Sequence, residues 1–332
     1  MKILVTGGMG FVGHNLVHKL IADGHEVHAL GRSNDPPPEK LLPKLQYHCH
    51  DLSLKCAFED WFDGVDTVFH VAAKAGMGGN FTEYLQANLV STEKLLVAAK
   101  QAKVKRFIYT STPSVVFSKH PICNGTESLP YSTENFSPYA TTKAWAEKAV
   151  LLADSNSGMR TIALRPHLVW GAGDPHLLPR VMARHRAGKF KIVGNGKNKV
   201  DLTHVDNVVH AHLCTLESMQ VNASLGGKAY FIGQNEPIFL WQWLNHIFTE
   251  LGLPILEKSV PFKTAYHLGF IIEKLWGALR IKNDPPMTRF VACQLAQDHW
   301  FSSDAAQKDL GYQPILSMDQ ALEKTLPWLK RL

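Results

Sequence analysis

The feature that most constrains this chain is a glycine-rich turn that directly follows its first short β-branched run. Residues 3–6 predict a buried strand, and they continue into segment 7–13, GGMGFVG, after which the apolar spacing becomes helical. Gly7 allows a tight turn, Gly10 lets the backbone approach a pyrophosphate, and Gly13 permits close packing of the helix on the strand. This order of strand, glycine turn and helix predicts a βαβ unit that binds a dinucleotide.

The helix after the glycine turn supplies the second part of the predicted phosphate site. Its first residues, Phe11 and Val12, carry backbone N–H groups that lack partners within the helix. The aligned peptide dipoles add partial positive charge at the same end, which favours an anion. We therefore place Phe11 and Val12 beside the three glycines among the predicted cofactor contacts.

Short β-branched runs alternate with longer helical patterns through the first half of the chain. Strands are predicted at residues 3–6, 26–30, 67–71, 106–110 and 161–164, and helices at 11–23, 84–103 and 139–155. Beyond Gly171 loops become more frequent, with helices predicted at 178–187 and 239–251. The fold class is therefore α/β, a Rossmann-type doubly wound parallel sheet with a smaller C-terminal substrate-binding lobe. We assign residues 1–170 to the nucleotide-binding domain with the catalytic pair, and 171–332 mainly to the lobe, with segments returning to the Rossmann core.

Composition excludes several classes of function. The 332 residues are 45% hydrophobic, which is enough for a large core, and the net charge of +6 is scattered rather than gathered into a nucleic-acid patch. Five cysteines without CxxC spacing, and no recognisable secretion signal, make a reducing cytoplasm the expected location. His204, His210 and His212 have no carboxylate at metal-ligand spacing, so we expect no metal.

The end of the second predicted strand indicates which nicotinamide cofactor is preferred. An acid there would accept from the ribose 2′-hydroxyl, whereas an arginine can meet a 2′-phosphate. This chain has Arg32 and Ser33, with no acid before Asp35. Arg32 offers a charge-assisted fork and Ser33 a second donor, which favours NADP(H) over NAD.

A tyrosine and a lysine four residues apart suggest catalysis. Tyr139 and Lys143 lie on one face of a helix that begins just after a proline. A free phenol has a pKa of about 10, and a neighbouring ammonium and an oxidised nicotinamide would both lower it. Upstream, the hydroxyl-rich strand end YTSTPS holds Thr112, our candidate for orienting a substrate carbonyl, with Ser111 and Ser114 as alternatives.

These motifs together resemble the extended short-chain dehydrogenase/reductase family. The resemblance rests on TGGMGFVG, the DL pair at 51–52, HVAA at 70–73, YTSTPSVV, YATTK and LRPHLVWG, and it extends to LGYQP near the end of the chain. Thr112 stands where many members have serine. The family pattern implies an oxidoreductase that interconverts a ketone and a secondary alcohol.

The resemblance also implies roles for residues that the spacing alone does not single out. Asp51, with Leu52 beside it, would contact the adenine, and Lys143 would hold the ribose hydroxyls. Pro166 and its following loop would flank the nicotinamide. The remaining implied cofactor contacts are Ala72, Ala73 and Lys74.

Within the family, the chain resembles the 3β-hydroxysteroid and sterol-4α-carboxylate dehydrogenase branch. GNGKNKVDLTHVDN, PFKTAYHLG, PPMTRF and HWFS are further similar to bacterial reductases that act on 2-alkyl-3-oxo fatty acids in long-chain olefin biosynthesis. That similarity implies NADPH-dependent reduction of a long-chain β-keto acid. Steroid or sterol-carboxylate oxidation, a nonenzymatic NADP-sensing role and sugar-nucleotide epimerisation are the alternatives.

Residues 262–281 form an amphipathic pattern that is too short and too charged to span a membrane. A helix lying on a membrane, on another olefin-biosynthesis enzyme or over an alkyl channel would explain it, and so would an ordinary core-facing helix. Family members often dimerise through two helices, so we expect a homodimer through residues 84–103 and 139–155.

Overall fold

The computed structural model describes residues 1–37, 40–54, 59–76, 80–134, 137–279, 281 and 283–332, without the side chains of residues 59 and 60. The strands are β1 (Lys2–Thr6), β2 (Glu26–Gly31), β3 (Leu45–Cys49), β4 (Thr67–His70), β5 (Arg106–Thr110), β6 (Ile122–Gly125), β7 (Arg160–Pro166), β8 (Val169–Trp170), β9 (Ile192–Val193), β10 (Lys199–Val200), β11 (Thr203–His204), β12 (Lys228–Ile232), β13 (Ile238–Phe239), β14 (Ser259–Val260) and β15 (His299–Phe301). The α-helices are α1 (Phe11–Ala22), α2 (Glu59–Phe62), α3 (Phe81–Tyr84), α4 (Ser91–Gln101), α5 (Pro138–Leu152), α6 (Leu177–Arg186), α7 (Val205–Val221), α8 (Leu240–Glu250), α9 (Phe262–Leu279), α10 (Arg289–Ala296), α11 (Asp304–Leu310) and α12 (Met318–Leu329).

Within the described residues, seven strands form one parallel sheet in the order β12-β7-β5-β4-β1-β2-β3. The predicted doubly wound α/β fold is confirmed. The chain leaves β1 toward β2 on one side and later returns to β4 on the other. The carboxyl end of β1, where the glycine turn begins, therefore lies at the switch point of the sheet, which is where such folds bind ligands.

The sheet is buried on both faces because alternate residues of its central strands supply two separate cores. Ile3 and Val5 of β1 pack with α1 and α7, whereas Leu4 packs with α4 and α5 on the opposite face. This continuous apolar run is what a central parallel strand requires.

A third core lies in the later part of the chain and is rich in tryptophan. Trp170, Trp241 and Trp243 are buried there together with side chains of α6, α8 and α12. β12 nevertheless pairs with β7 in the central sheet, and α7 packs in the first core. The predicted boundary at residue 170 stays a prediction.

The predicted helix at 84–103 is interrupted. α3 passes into a π-helical turn, Leu85–Val90, before α4 begins. The π-helical turn holds Asn88 inward, where its side chain makes hydrogen bonds to Lys74 and Thr142. Such turns often mark functional sites. The sequence pattern also missed β3, an edge strand whose residues are only partly buried.

Helix α9 lies at the surface. Its buried residues are Ala265 and Gly269, and a Cβ on Gly269 would lie 2.6 Å from the carbonyl carbon of Thr288 at the start of α10. The outward residues Leu268, Ile271, Leu275 and Leu279 are 49, 53, 50 and 68% exposed. The structure argues against a core-facing helix with a polar outer side, because the outer side is apolar. Among the described residues no helix has the length and apolarity needed to cross a membrane.

Candidate active site

The glycine turn has the geometry of a phosphate cradle. Gly7 has a φ of +69°, which disfavours any residue with a Cβ. A Cβ on Gly13 would lie 2.2 Å from the Gly7 carbonyl oxygen, and one on Gly10 would lie 3.1 Å from the same atom. Gly10 is the N-cap of α1, and no side chain caps the helix there. The first N–H groups of the helix, including those of Phe11 and Val12, therefore have no capping side chain as a partner. These residues fit the diphosphate of a dinucleotide.

The end of β4 lies against the same turn. A Cβ on Gly7 would lie 2.9 Å from the backbone N and Cα of Ala72, and the Ala72 N–H donates to Thr6 Oγ1 at 3.2 Å. Ala73, the next residue, is exposed. The structure thus brings Ala72 and Ala73 to the edge of the sheet where the glycine turn lies.

The end of β2 carries the residues predicted to read the ribose phosphate. Arg32 and Ser33 are both exposed. Burial alone would raise the pKa of Asp51, but hydrogen bonds from Ser53 and the nearby charge of Arg32 hold it below its ordinary value. Arg32 and Asp51 therefore lie close together at this edge, whereas the side chain of Leu52 is buried in the core.

Lys40 is a second cation at the glycine turn. Its Nζ donates to the Met9 carbonyl oxygen at 2.8 Å. The sequence offered no signal for this residue, because it lies in a loop without a motif and reaches the turn across 31 positions of chain.

The backbone of Lys74 is held in place by hydrogen bonds to Asn88. The Lys74 N–H donates to Asn88 Oδ1 at 2.7 Å, and Asn88 Nδ2 donates to the Lys74 carbonyl at 3.1 Å and to Thr142 Oγ1 at 3.1 Å. The Lys74 ammonium pairs with Glu83 at 3.0 Å. Asn88 thereby links the loop after β4 to α5, a positioning role that the sequence reading missed.

Helix α5 places the tyrosine and the lysine. Pro138 occupies its first turn, and Ser137 caps it by accepting the Ala140 N–H at 3.3 Å. Lys143 is 1% exposed, and its Nζ donates to the Thr110 carbonyl oxygen at 2.7 Å, at the end of β5. Its ammonium also lies 4.1 Å from the centre of the Tyr109 ring.

Burial dominates the electrostatics of this pair. It raises the pKa of Tyr139 to about 12, although a hydrogen bond with Thr112 acts in the opposite direction. Burial also lowers the pKa of Lys143 to about 7, partly offset by the charge of Glu147. The predicted lowering of the phenol pKa by the lysine is therefore wrong for the protein alone. The reason is that both groups are desolvated and that the lysine is directed at the Thr110 carbonyl.

Thr112 is the hydroxyl residue that meets Tyr139. Its side chain begins a 3₁₀ turn, Pro113–Val116, and accepts the Ser114 N–H at 3.2 Å. Thr112 Oγ1 also donates to Ser114 Oγ at 3.2 Å. Ser111 Oγ is buried without a partner among the described residues. The hydrogen bond between Thr112 and Tyr139 favours Thr112 over the two serines, and its catalytic role stays a prediction.

A cavity opens next to these groups. It is lined by Pro113 and Ser114, which directly follow Thr112, and by His167, which directly follows Pro166. Pro166 is buried at the end of β7, and its place beside the nicotinamide stays a prediction. The remaining lining residues include Phe117, Ile122, Cys293, Gln294, His299 and Phe301.

A dinucleotide turn at the switch point and a tyrosine–lysine pair on α5 define a nicotinamide-dependent oxidoreductase of the extended short-chain kind. Residues 4–263 match the 3-beta hydroxysteroid dehydrogenase/isomerase family. The chain belongs to this family, which confirms the resemblance drawn from its motifs.

Two relatives and one solved structure place the chain further. It is 42% identical over 326 residues to the 2-alkyl-3-oxoalkanoate reductase of Stenotrophomonas maltophilia (strain K279a), with 98% of each chain covered. It is 35% identical over 333 residues to the mouse (Mus musculus) sterol-4-alpha-carboxylate 3-dehydrogenase, decarboxylating, covering 98% of this chain and 90% of that protein. The UDP-glucuronic acid 4-epimerase of Bacillus cereus, solved with NAD, has a TM-score of 0.78 at 23% identity, covering 100% of this chain and 99% of that one, which is a likeness of fold.

Replacing the phenol tests the site. Tyr139→Phe removes the phenolic hydroxyl and with it the hydrogen bond to Thr112, so turnover of a ketone substrate should fall by about 10²- to 10⁴-fold while binding of the reduced nicotinamide cofactor, followed by fluorescence, persists. Tyr230→Phe, which removes a phenol that bonds Asp309 at 2.8 Å, is the matched control. Normal turnover by Tyr139→Phe would refute the assignment.

Proposed function

We propose that this chain reduces the 3-keto group of a 2-alkyl-3-oxo fatty acid with NADPH, giving the 2-alkyl-3-hydroxy acid, in the biosynthesis of olefinic hydrocarbons. The observation that carries the proposal is that Tyr139 is hydrogen-bonded to Thr112. Thr112 directly precedes Pro113 and Ser114, which line a cavity together with Phe117, Ile122 and Phe301. The full-length similarity to a 2-alkyl-3-oxoalkanoate reductase supports this substrate class.

Different residues of the chain have different roles in this reaction. When bound, the reduced nicotinamide supplies the hydride that reaches C3 of the substrate. Tyr139 donates its phenolic proton to the ketone oxygen, and its raised pKa keeps that proton in place at neutral pH. The proton transfer remains favourable because an alkoxide is a stronger base than a phenolate. Thr112 holds the oxygen beside Tyr139, and Lys143 takes the ribose hydroxyls next to the Thr110 carbonyl.

What supports NADPH rather than NADH is the charge at the end of β2. Arg32 is exposed there, and Lys40 adds a second cation at the neighbouring glycine turn. A 2′-phosphate carries about two negative charges and accepts the bidentate hydrogen bonds that a guanidinium offers.

We further propose that α9 rests on a lipid surface. Lys263 and Lys274 flank its apolar outer stripe, and the acid of the helix, Glu273, is paired with Arg289 at 2.7 Å. An apolar stripe between cations is the pattern of a helix that lies in a membrane interface. On its inner side, Phe262 and Tyr266 of α9 pack on a cluster that contains Phe117, and Phe117 lines the cavity. A lipid substrate would thus have a short path from a membrane to the site.

The homodimer stays a prediction. What supports it is that Val97 of α4 and Trp145 and Leu152 of α5 are exposed apolar residues on the two helices expected to pair. Assembly with other enzymes of olefin biosynthesis is likewise a prediction.

Substrate choice separates the two enzyme functions that the relatives suggest. Freshly generated 2-alkyl-3-oxo acid should support NADPH oxidation at 340 nm, whereas a 3β-hydroxysteroid should not support NADP⁺ reduction. Turnover of the steroid alone would overturn the proposed substrate and favour the sterol branch, to which the 35% identity with the mouse enzyme points.

Cofactor preference depends on the arginine. Arg32→Ala should lower the ratio of kcat/KM for NADPH to that for NADH by about 10-fold or more, because a charge-assisted contact to the phosphate is lost. Arg186→Ala, at another exposed arginine, should leave the ratio unchanged. If Arg32→Ala also leaves it unchanged, another residue reads the phosphate.

Vesicle binding tests the α9 proposal. The protein should sediment with vesicles of mixed neutral and anionic phospholipid, and Leu268→Glu with Ile271→Glu should weaken that binding by about 10-fold or more. Val221→Glu, at an apolar residue that is 88% exposed elsewhere, is the control. Equal binding by the α9 variant and the control would contradict the proposal.

A further inference from the structure

Two buried histidines from distant parts of the chain meet at the cavity that Pro113 and Ser114 line. His167 follows β7 and His299 lies in β15, and both line the cavity. The rings are 4.9 Å apart, and His299 Nδ1 lies 3.2 Å from His167 Nε2. His167 is 7% exposed, and its ring also packs edge-on against Phe301 at 5.3 Å.

The hydrogen bonds of this pair determine where its protons lie. His299 Nε2 is 2.7 Å from the Gln294 carbonyl oxygen, which can only accept, so this nitrogen carries a proton. Burial lowers the pKa of His299 to about 4 and that of His167 well below its ordinary value, so both rings are neutral at pH 7. His299 Nδ1 is then an acceptor, and His167 Nε2 donates to it. The chain of bonds leaves a lone pair on His167 Nδ1.

That lone pair is unmatched in the part of the chain that the structure describes. His167 Nδ1 is buried, and among the described residues it has no hydrogen-bond partner. A buried acceptor without a donor costs free energy, so a ligand that supplies a donor there gains that free energy on binding. The unpaired atom belongs to a ring that lines the cavity in which the substrate is expected.

We propose that His167 Nδ1 binds the carboxyl group of the substrate. This rests on the proposed function, because a 2-alkyl-3-oxo acid has two polar groups and Tyr139 with Thr112 takes one of them, the ketone. One carbon atom, C2, separates the carboxyl group from that ketone. His167 directly follows Pro166 in the chain. It lines the same cavity as Pro113, which directly follows Thr112.

The chemistry of the cavity agrees with this partner. The described residues that line it include no lysine or arginine but do include Asp298, so an ionised carboxylate would meet no fixed cation and one like charge there. A free carboxylic acid is ionised at pH 7, so its binding here takes up one proton from solution. That proton lies between the neutral Nδ1 and a carboxyl oxygen, and the ligand is then held either as the carboxylic acid or as a carboxylate paired with the protonated ring. Ser114 offers a further hydroxyl in the same wall. His299 and the Gln294 carbonyl stabilise any positive charge that develops on His167.

Binding of a branched fatty acid tests this site without the reduction step. Calorimetry on the NADP⁺-loaded protein would compare 2-hexyldecanoic acid with its methyl ester, which lacks the acidic proton. The wild type should bind the acid about 10-fold or more tightly than the ester. His167→Gln places a polar group near Nε2 and keeps the bond to His299 but removes Nδ1, so the ratio of the two affinities should fall to about one. His167→Asn places a polar group near Nδ1 and should keep a larger part of the preference.

The outcomes separate this proposal from the function it rests on. Equal binding of acid and ester by the wild type, or an unchanged ratio in a folded His167→Gln, would overturn the role of His167. If His167→Gln does not fold, His167→Asn decides the question. Equal affinity of that variant for the acid and for the ester would overturn the assignment to Nδ1. An acid preference that depends on His167, in a protein that does not reduce 2-alkyl-3-oxo acids, would leave the carboxyl site standing and remove the proposed function.

Discussion

The site depends on one buried contact, the hydrogen bond from the Lys143 ammonium to the Thr110 carbonyl oxygen at 2.7 Å. It joins helix α5 to the carboxyl end of β5, and so holds Tyr139, one turn earlier on the helix, against Thr112, two residues beyond Thr110. A buried ammonium without an acceptor would be costly, so α5 cannot shift along the sheet without breaking this bond. Below it, Arg165 of β7 and Glu147 of α5 form a buried ion pair at 2.6 Å that ties the same helix to the strand leading to Pro166.

Burial explains both the reactivity and the selectivity of the site. It keeps the proton on Tyr139 and lowers the pKa of Lys143 to about 7, so the protein alone holds a weak acid next to a lysine that is partly neutral. A bound cofactor would change the charge around both groups. The cavity beyond them combines apolar side chains, among them Phe117, Ile122 and Phe301, with hydroxyls, amides, histidines and Asp298, so it offers both apolar and polar contacts to a ligand.

Local sequence patterns were sufficient to predict the features that depend on residues close together in the chain. The glycine turn, the strand β1 and the spacing of Tyr139 and Lys143 belong to single segments, and all of them could be predicted. Lys40, Asn88 and the His167–His299 pair could not, because each acts across the fold, in the last case over 132 positions of chain. The π-helical turn was missed for the same reason: what holds it is the contact of Asn88 with residues outside its own helix.

The most direct test of the proposed reaction follows the transferred hydride itself. A 2-alkyl-3-oxo acid would be reduced with NADPH deuterated at the transferred position, and the product analysed by mass spectrometry. We expect a 2-alkyl-3-hydroxy acid with its carboxyl group intact and one deuterium at C3. Absence of deuterium from C3, or a label found only in an alcohol that has lost its carboxyl group, would contradict it.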